Sequence, residues 1–101
     1  MQKIAYHSDA KQEVIYSARY YESQCAGLGV KFLENYDNAI SEITDSPLAW
    51  PILEGDYRRH QLEHFPFGVI YRVVDDHIRV LAIMHLHRKP GYWEKRDSQF
   101  Q

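Results

Sequence analysis

The hydrophobic residues in the first half of the chain recur with two different periods, and each period predicts one kind of element. Residues 3–7, KIAYH, alternate apolar and polar positions, which predicts a short strand. From there to residue 25, apolar residues recur every three or four positions, as on one face of a helix. Asp9 is the predicted N-cap, and Gln12 three residues later completes a capping box. The apolar face of this helix consists of Ala10, Val14, Ala18, Tyr21 and Cys25.

A second helix is predicted from about Leu28 or Gly29 to Asp45. Pro47 limits it, because a proline disfavours helical geometry in the residue before it. The glycine-rich link at residues 27–29 is short, so the two helices should form an antiparallel hairpin. The segment PLAWPILEGD that follows contains two prolines and a glycine and is predicted to be a loop. The apolar stripe of the second helix is Phe32, Tyr36, Ala39, Ile40 and Ile43.

Three strands are predicted in the second half of the chain. Residues 57–65 alternate, residues 67–74 are rich in β-branched and aromatic side chains, and residues 77–87 are apolar on both faces, as in a central strand. This order of elements predicts an α+β domain, β-α-α-β-β-β, in which a helix hairpin over residues 9–45 packs on an antiparallel sheet. The core is predicted to contain Val14, Ala18, Phe32, Tyr36, Ile40 and Ile43 with Ile70, Leu81 and Ile83.

Length and composition are typical of one small domain over residues 1–101, since 45% of the 101 residues are hydrophobic. Cys25 is the single cysteine, so an internal disulfide is excluded. Its place on the apolar helix face predicts a core residue rather than a nucleophile. No apolar run approaches the roughly 18 residues that a membrane span requires, and the N-terminus lacks the order of a signal peptide. We therefore expect a cytoplasmic protein with no membrane partner.

Charge is distributed unevenly along the chain. The net charge is −2, which argues against a general binder of polyanions. Residues 1–56 contain four basic and nine acidic residues, whereas residues 57–96 contain eight basic and four acidic residues and five of the six histidines. Two interpretations stand side by side: solvated faces without a function, or a second half that meets an anionic partner or nucleic acid.

The C-terminal stretch LAIMHLHRKPGYWEKR concentrates the candidate chemistry. His85 and His87 lie two residues apart on a predicted strand, so both should project from one face. Such a pair can bind zinc only with at least one further ligand. His60, Glu63 and His64 are candidates, but their spacing does not specify a site, and we expect no metal.

Several stretches together are similar to a known family. FPFGVIYRVVDDHIRVLAIMHLHRKPGYW, the paired arginines in YRRHQL and the helical ARYYESQCAGLGVKFLENYDNAI resemble the RelE/ParE superfamily of type II toxin–antitoxin toxins, and most of all its ParE-like, plasmid-stabilisation branch. The resemblance implies a domain that is toxic when free and needs no cofactor. It also implies a cognate antitoxin whose tail wraps the toxin in a hetero-oligomer.

The branches of this superfamily differ in their targets. RelE-like members cleave mRNA in the ribosomal A site, whereas ParE-like members inhibit DNA gyrase and are not known to need a catalytic residue. By resemblance, Arg59 lies near a lysine position of the ribonucleases, Arg88 near their C-terminal arginine and Tyr92 near their tail tyrosine. Gly68 stands where the ribonucleases carry a further arginine, and a glycine cannot stabilise a charged phosphorane. If the chain is a ribonuclease, its candidate residues are Arg59, Glu63, Arg72, His85, Arg88 and Tyr92.

The absent arginine makes a ParE-like toxin that binds its target the leading hypothesis. The runner-up is a ribosome-dependent mRNA endonuclease, in which Glu63 and His85 could form an acid–base pair. A third is a nontoxic relative that retains only antitoxin binding. Tyr92 and Trp93 are expected mainly to pack the tail against the domain. The predicted surface for partner or target consists of Arg58, Arg59, Arg72, His85, His87, Arg88, Tyr92 and Trp93.

Overall fold

A helix hairpin and a five-stranded sheet form the framework in the computed structural model, which describes residues 3–99. The elements in chain order are β1 (Lys3–Tyr6), α1 (Ser8–Gln24), α2 (Leu28–Asp45), β2 (Ile52–Glu54), β3 (Tyr57–Gln61), β4 (Phe67–Val74), β5 (His77–His85) and α3 (Glu94–Asp97). The predicted α+β class and helix hairpin are confirmed. Within the described range, no helix is both long enough and apolar enough to cross a bilayer.

The strand order in the sheet is β1-β5-β4-β3-β2. Strands β3 to β5 form an antiparallel meander, as predicted, and β2 extends it antiparallel to β3. The sheet as a whole is mixed, however, because β1 pairs in parallel with β5, in the register Lys3 to His77. A parallel pair needs a long crossover, and here the chain between the two strands supplies it. β5 lies between two neighbours and its side chains are buried on both faces of the sheet, which explains why its sequence is apolar on both faces.

The structure corrects the predicted boundaries in three places. Ile52–Glu54, predicted as loop, forms β2 and pairs with β3, and a strand of three residues is too short to produce a periodic pattern. β3 ends at Gln61 and β5 at His85, so residues 62–65 belong to the connection between β3 and β4, and residues 86–87 lie in a turn. The short helix α3 was not predicted.

The first helix begins differently from its predicted capping box. The N-cap is His7, whose Nδ1 accepts a hydrogen bond from the Asp9 backbone N–H at 3.0 Å. Asp9 is therefore inside the first turn, and the predicted role of Asp9 and Gln12 as a capping box is wrong. An acidic residue in this turn still has a favourable interaction with the helix dipole.

Cys25 does not belong to the core, which corrects the prediction from helical spacing. α1 ends at Gln24, and Cys25 has extended backbone angles of φ −159° and ψ 125°. Its side chain is exposed because the helical period no longer applies there. Gly27 then adopts φ 87°, a left-handed conformation that suits glycine, and starts α2.

The first core lies between the helix hairpin and the sheet. Val14, Ala18, Phe32 and Ile43 are buried there with Ile83, as predicted, and Tyr36 and Ile40 pack against them partly buried. Aromatic rings fill the end near the β3–β4 connection. The Phe65 ring lies 5.1 Å from that of Phe32 and 4.7 Å from that of Tyr21, centroid to centroid.

A second core lies on the opposite face of the sheet. Ile70 and Leu81 were predicted to pack under the helices, but both belong to this second cluster. A β-bulge explains Leu81: Ile70 pairs with Ala82 and Tyr71 with Val80, so Leu81 is the extra residue. The face is closed by Trp93, which is fully buried.

The first core yields a stability prediction with a matched control. Phe32→Ala should lower the free energy of unfolding by about 3–5 kcal/mol, because it removes a fully buried ring and leaves a cavity. Leu33→Ala, at the neighbouring helix position with 40% of its side chain exposed, should cost less than about 1 kcal/mol. Urea denaturation of both variants measures the difference, and equal costs would contradict the assignment of the α2 core face.

Candidate functional site

The chain after β5 folds back over the face of the sheet that the helices leave open. Gly91 allows the turn, since its φ of 105° lies in the region that favours glycine. Trp93 then inserts into the second core, and its ring meets that of Tyr57 edge to face at 4.4 Å between centroids. The prediction that the aromatic pair packs the tail is confirmed for Trp93. Trp93 itself has no exposed surface and can contribute to a binding face only by supporting it.

Asp97 anchors the end of this tail. Its Oδ2 accepts a hydrogen bond from Arg72 and another from the Tyr57 hydroxyl at 3.0 Å, and its Oδ1 accepts one from Arg79 at 3.1 Å. Burial alone would raise the pKa of Asp97, but these hydrogen bonds outweigh it and hold that pKa below its ordinary value. Arg72, predicted as a contact for partner or target, is thus engaged in an internal ion pair.

A second ion pair joins the tail to α1. Arg96 forms a fork with Glu13, with Nη1–Oε1 at 2.9 Å and Nη2–Oε2 at 3.0 Å, a strong bidentate arrangement. Arg96 also donates to the Leu81 carbonyl at 2.9 Å, and Glu13 accepts from the Ile83 N–H at 3.1 Å. These contacts provide hydrogen-bond partners for backbone groups of β5 that lie beyond the residues paired with β1.

Arg88 and Tyr92 meet at the rim of the tail. The Arg88 guanidinium carbon lies 3.4 Å from the centre of the Tyr92 ring, a cation–π contact. Arg88 is exposed and Tyr92 is partly buried. Burial, followed by the charge of Glu13, raises the pKa of Tyr92 to about 12, so its phenol is protonated at neutral pH.

The paired arginines of β3 point to opposite faces of the sheet. Arg58 donates to the carbonyls of Leu48 at 3.2 Å and Trp50 at 2.7 Å, and so holds the loop before β2. Arg59 pairs in register with Ile70 and lies on the same face as the tail. Its alkyl stem crosses the backbone of Gly68, where an added Cβ would be 2.7 Å from the Arg59 Cγ.

The histidines at the end of β5 do not assemble with Glu63. His85 Nδ1 accepts a hydrogen bond from the His87 N–H at 3.1 Å, and its ring lies 5.1 Å from that of Phe67, centroid to centroid. Glu63 Oε1 lies instead 3.6 Å from His64 Nε2, and both of those side chains are exposed. The structure does not bring Glu63 and His85 into a hydrogen bond.

His60, another candidate zinc ligand, lies on the helix side of β3. Its Nε2 is 2.9 Å from Glu42 Oε1, and its ring stacks on Trp50 with centroids 3.7 Å apart. β4 separates His60 from His85 on β5. Across residues 3–99, no three histidine, cysteine or acidic side chains are grouped so that they could hold a metal.

Sequence reasoning missed the residues that fix this face. Asp97, Arg79 and the pair Glu13–Arg96 carry its main ion pairs, yet the members of that pair are 83 positions apart. No local spacing encodes a contact of such separation. One signal was available: the concentration of opposite charges in Glu94–Asp97 after two aromatic residues suggests a segment that docks rather than one that stays free.

Comparison with known proteins agrees with this architecture. Residues 4–90 match the family model described as ParE toxin of type II toxin-antitoxin system, parDE. The chromosomal ParDE TA system from P. aeruginosa contains a similar fold, with a TM-score of 0.64, 17% identity, and coverage of 86% of this chain and 98% of that one. The YoeB-YefM complex from Staphylococcus aureus gives a TM-score of 0.56 and 16% identity, over 83% and 95% of the two chains. No curated protein sequence gives a significant match.

The helix hairpin and the five-stranded sheet give the chain a RelE/ParE-like fold. The match over residues 4–90 makes the assignment specific: the chain belongs to the ParE toxin family of type II toxin–antitoxin systems. The resemblance inferred from the sequence is thereby confirmed.

The Asp97 anchor yields a pH-dependent prediction. Asp97→Asn should lower the free energy of unfolding at pH 7 by about 2 kcal/mol, because two guanidinium groups lose their charged acceptor. The pKa of Asp97 is lower in the folded state than its ordinary value of 3.8. The native protein should therefore have the higher free energy of unfolding of the two above pH 3.8, and this difference should disappear as the pH falls through the lower, folded-state pKa. Urea denaturation of both proteins between pH 7 and pH 2 measures this difference.

Asp75→Asn provides the control for that series. Asp75 is exposed in the β4–β5 turn with φ 54°, a conformation that asparagine also tolerates. This control should change stability by less than about 0.5 kcal/mol at every pH. A destabilisation by Asp97→Asn that persisted unchanged at low pH would mean that the carboxylate charge is not its source.

Proposed function

We propose that this chain is a growth-inhibiting toxin that acts by binding its target, with DNA gyrase as the expected target, and that a cognate antitoxin neutralises it. The proposal places it in the cytoplasm, where such a target resides. Its main support comes from the face of the sheet over which the chain after β5 folds, here called the tail-side face. That face carries Arg59 and Arg88, which have no ion pair with a described residue, and the acid–base pair considered for a ribonuclease, Glu63 with His85, is not hydrogen-bonded.

The chemistry of RNA cleavage argues against the ribonuclease alternative. Cleavage needs a base for the ribose 2′-hydroxyl and cations for the charged phosphorane. Glu63 and His85 are not hydrogen-bonded to each other, and the Tyr92 phenol, with a pKa of about 12, is a poor base at neutral pH. Arg72 is already engaged with Asp97, and Gly68 offers no side chain.

The available cations support an acidic partner. Arg59 and Arg88 have no ion pair with a described residue, and Lys89 beside Arg88 is exposed. Guanidinium groups recognise carboxylates through two parallel hydrogen bonds. The structurally similar ParDE and YoeB-YefM chains come from toxin–antitoxin assemblies, which favours an antitoxin as the partner of this chain too.

Two activity assays separate the candidates. With the purified chain, we expect inhibition of gyrase supercoiling and no cleavage in a purified ribosome–mRNA reaction. Expression alone should slow bacterial growth, and co-expression with the neighbouring open reading frame should restore it. Codon-specific mRNA cuts would instead establish an endonuclease, and normal growth with neither activity would indicate a nontoxic antitoxin-binding module.

Two substitutions test binding against catalysis. Arg88→Gln should weaken gyrase inhibition by degrees, since it removes one exposed contact, whereas His85→Ala should not abolish it. In an endonuclease, losing a general base would reduce the rate by about 10²–10⁴-fold. Truncation from Pro90 onward is unsuitable as a test, because it would remove the buried Trp93 and unfold the second core. Loss of all activity in His85→Ala, with the fold intact by circular dichroism, would contradict the binding mechanism.

A further inference from the structure

Gly68 occupies an unusual place for a glycine. It lies inside β4, paired with Gln61 on β3 and with Met84 on β5, and its backbone is not in the positive-φ region. Glycine weakens the interior of a strand, so backbone geometry alone gives no reason for it here. The reason is steric: an added Cβ would lie 2.7 Å from Arg59 Cγ and 2.9 Å from Arg59 Cδ. Non-bonded carbon atoms attract each other most strongly at about 3.5–4.0 Å, and both distances are far shorter than that.

We propose that Gly68 is a positioning residue for Arg59. The alkyl stem of Arg59 packs against the backbone of Gly68. This contact holds the guanidinium on the tail-side face as a binding group for a carboxylate of the antitoxin. The identity of the partner rests on the proposed function above. The positioning itself rests only on the geometry of the two residues.

The other arginines on this face show why Arg59 is singled out. Arg72 and Arg79 share the single carboxylate of Asp97, Arg96 pairs with Glu13, and Arg88 stacks on the Tyr92 ring. Within residues 3–99, the Arg59 guanidinium has no hydrogen bond or ion pair. Arg59 also lines a cavity of about 370 Å³ at β3, together with Pro51, His60 and Gln61.

Charge favours a carboxylate over a nucleic acid as the ligand. A protein that binds the nucleic-acid backbone commonly neutralises several phosphates, about 6–10 in strong cases, and needs a broad basic surface. This chain has a net charge of −2, and the neighbouring arginines are already paired. A single oriented guanidinium suits the two oxygens of a single carboxylate.

A double-mutant cycle in the free protein tests the positioning. Gly68→Ala alone should lower the thermal unfolding midpoint by about 4 °C, since the new methyl group displaces the Arg59 stem. In an Arg59→Ala background the close contacts are gone and the methyl group meets Leu86 Cδ2 at an ordinary contact distance of 3.6 Å, so the same substitution should leave the midpoint unchanged or raise it. Equal shifts in the two backgrounds would overturn the proposal. If Gly68→Ala does not fold by itself, the double variant must restore folding for the proposal to stand.

Binding of a hexaglutamate peptide at low ionic strength tests the anion site. The Arg59 Nε–Hε resonance should shift on titration, and Arg59→Met, which keeps the stem and removes the charge, should weaken binding by about fivefold or more. Gly68→Ala should weaken it comparably although the net charge is unchanged. Lys31→Met, an exposed α2 residue with the same loss of charge, should change affinity less than about twofold.

Two results would overturn the anion site. Equal affinity of Gly68→Ala and the native chain for hexaglutamate would show that the contact between Gly68 and the Arg59 stem does not position the binding group. A shift of the Arg59 resonance with a 12-nucleotide single-stranded RNA, and none with hexaglutamate, would assign the group to nucleic acid instead. Neither measurement depends on toxicity, so their failure is distinguishable from failure of the proposed gyrase inhibition.

Discussion

The tail-side face depends on one electrostatic constraint, the meeting of two arginines across β4 and β5. Arg72 and Arg79 are register partners, so their side chains project side by side from the same face. Like charges placed opposite each other on neighbouring strands destabilise a sheet. Asp97 resolves the conflict by accepting hydrogen bonds from both guanidinium groups, and it can do so only when the C-terminal segment lies across the sheet. Docking of the tail therefore relieves this repulsion within the sheet, and Trp93 fills the apolar centre of the same face.

This constraint divides the basic residues of the second half into two groups. Arg72, Arg79 and Arg96 hold the tail, and each is engaged in an ion pair within the fold, with Arg72 and Arg79 sharing one carboxylate. Arg59 and Arg88 lie on the same side of the molecule with no described counter-charge. The excess of basic residues in the second half of the sequence therefore overstates the charge that a partner would meet, because part of it is neutralised internally.

Much of the fold follows from local patterns, and the exceptions have physical causes. Helical spacing correctly identified both helices, since the period persists over four or more turns, but it failed at Cys25, where the helix has already ended. The faces of Ile70 and Leu81 could not be derived from alternation, because a bulge at Leu81 and a second apolar layer both depend on tertiary structure. The site was the least predictable part, since its ion pairs join the tail to distant strands and to α1.

Gly68 shows how a residue can be misjudged when it is considered alone. In the sequence, a glycine where related ribonucleases carry an arginine indicates the loss of a cation. In the structure, the space left by that side chain is filled by the stem of Arg59 from the adjacent strand. The stem of Arg59 on β3 therefore occupies a volume in which β4 offers no side chain. Because the two positions share one volume, an arginine at 59 in this conformation and a side chain at 68 exclude each other, so substitutions at the two positions have to be interpreted as a pair.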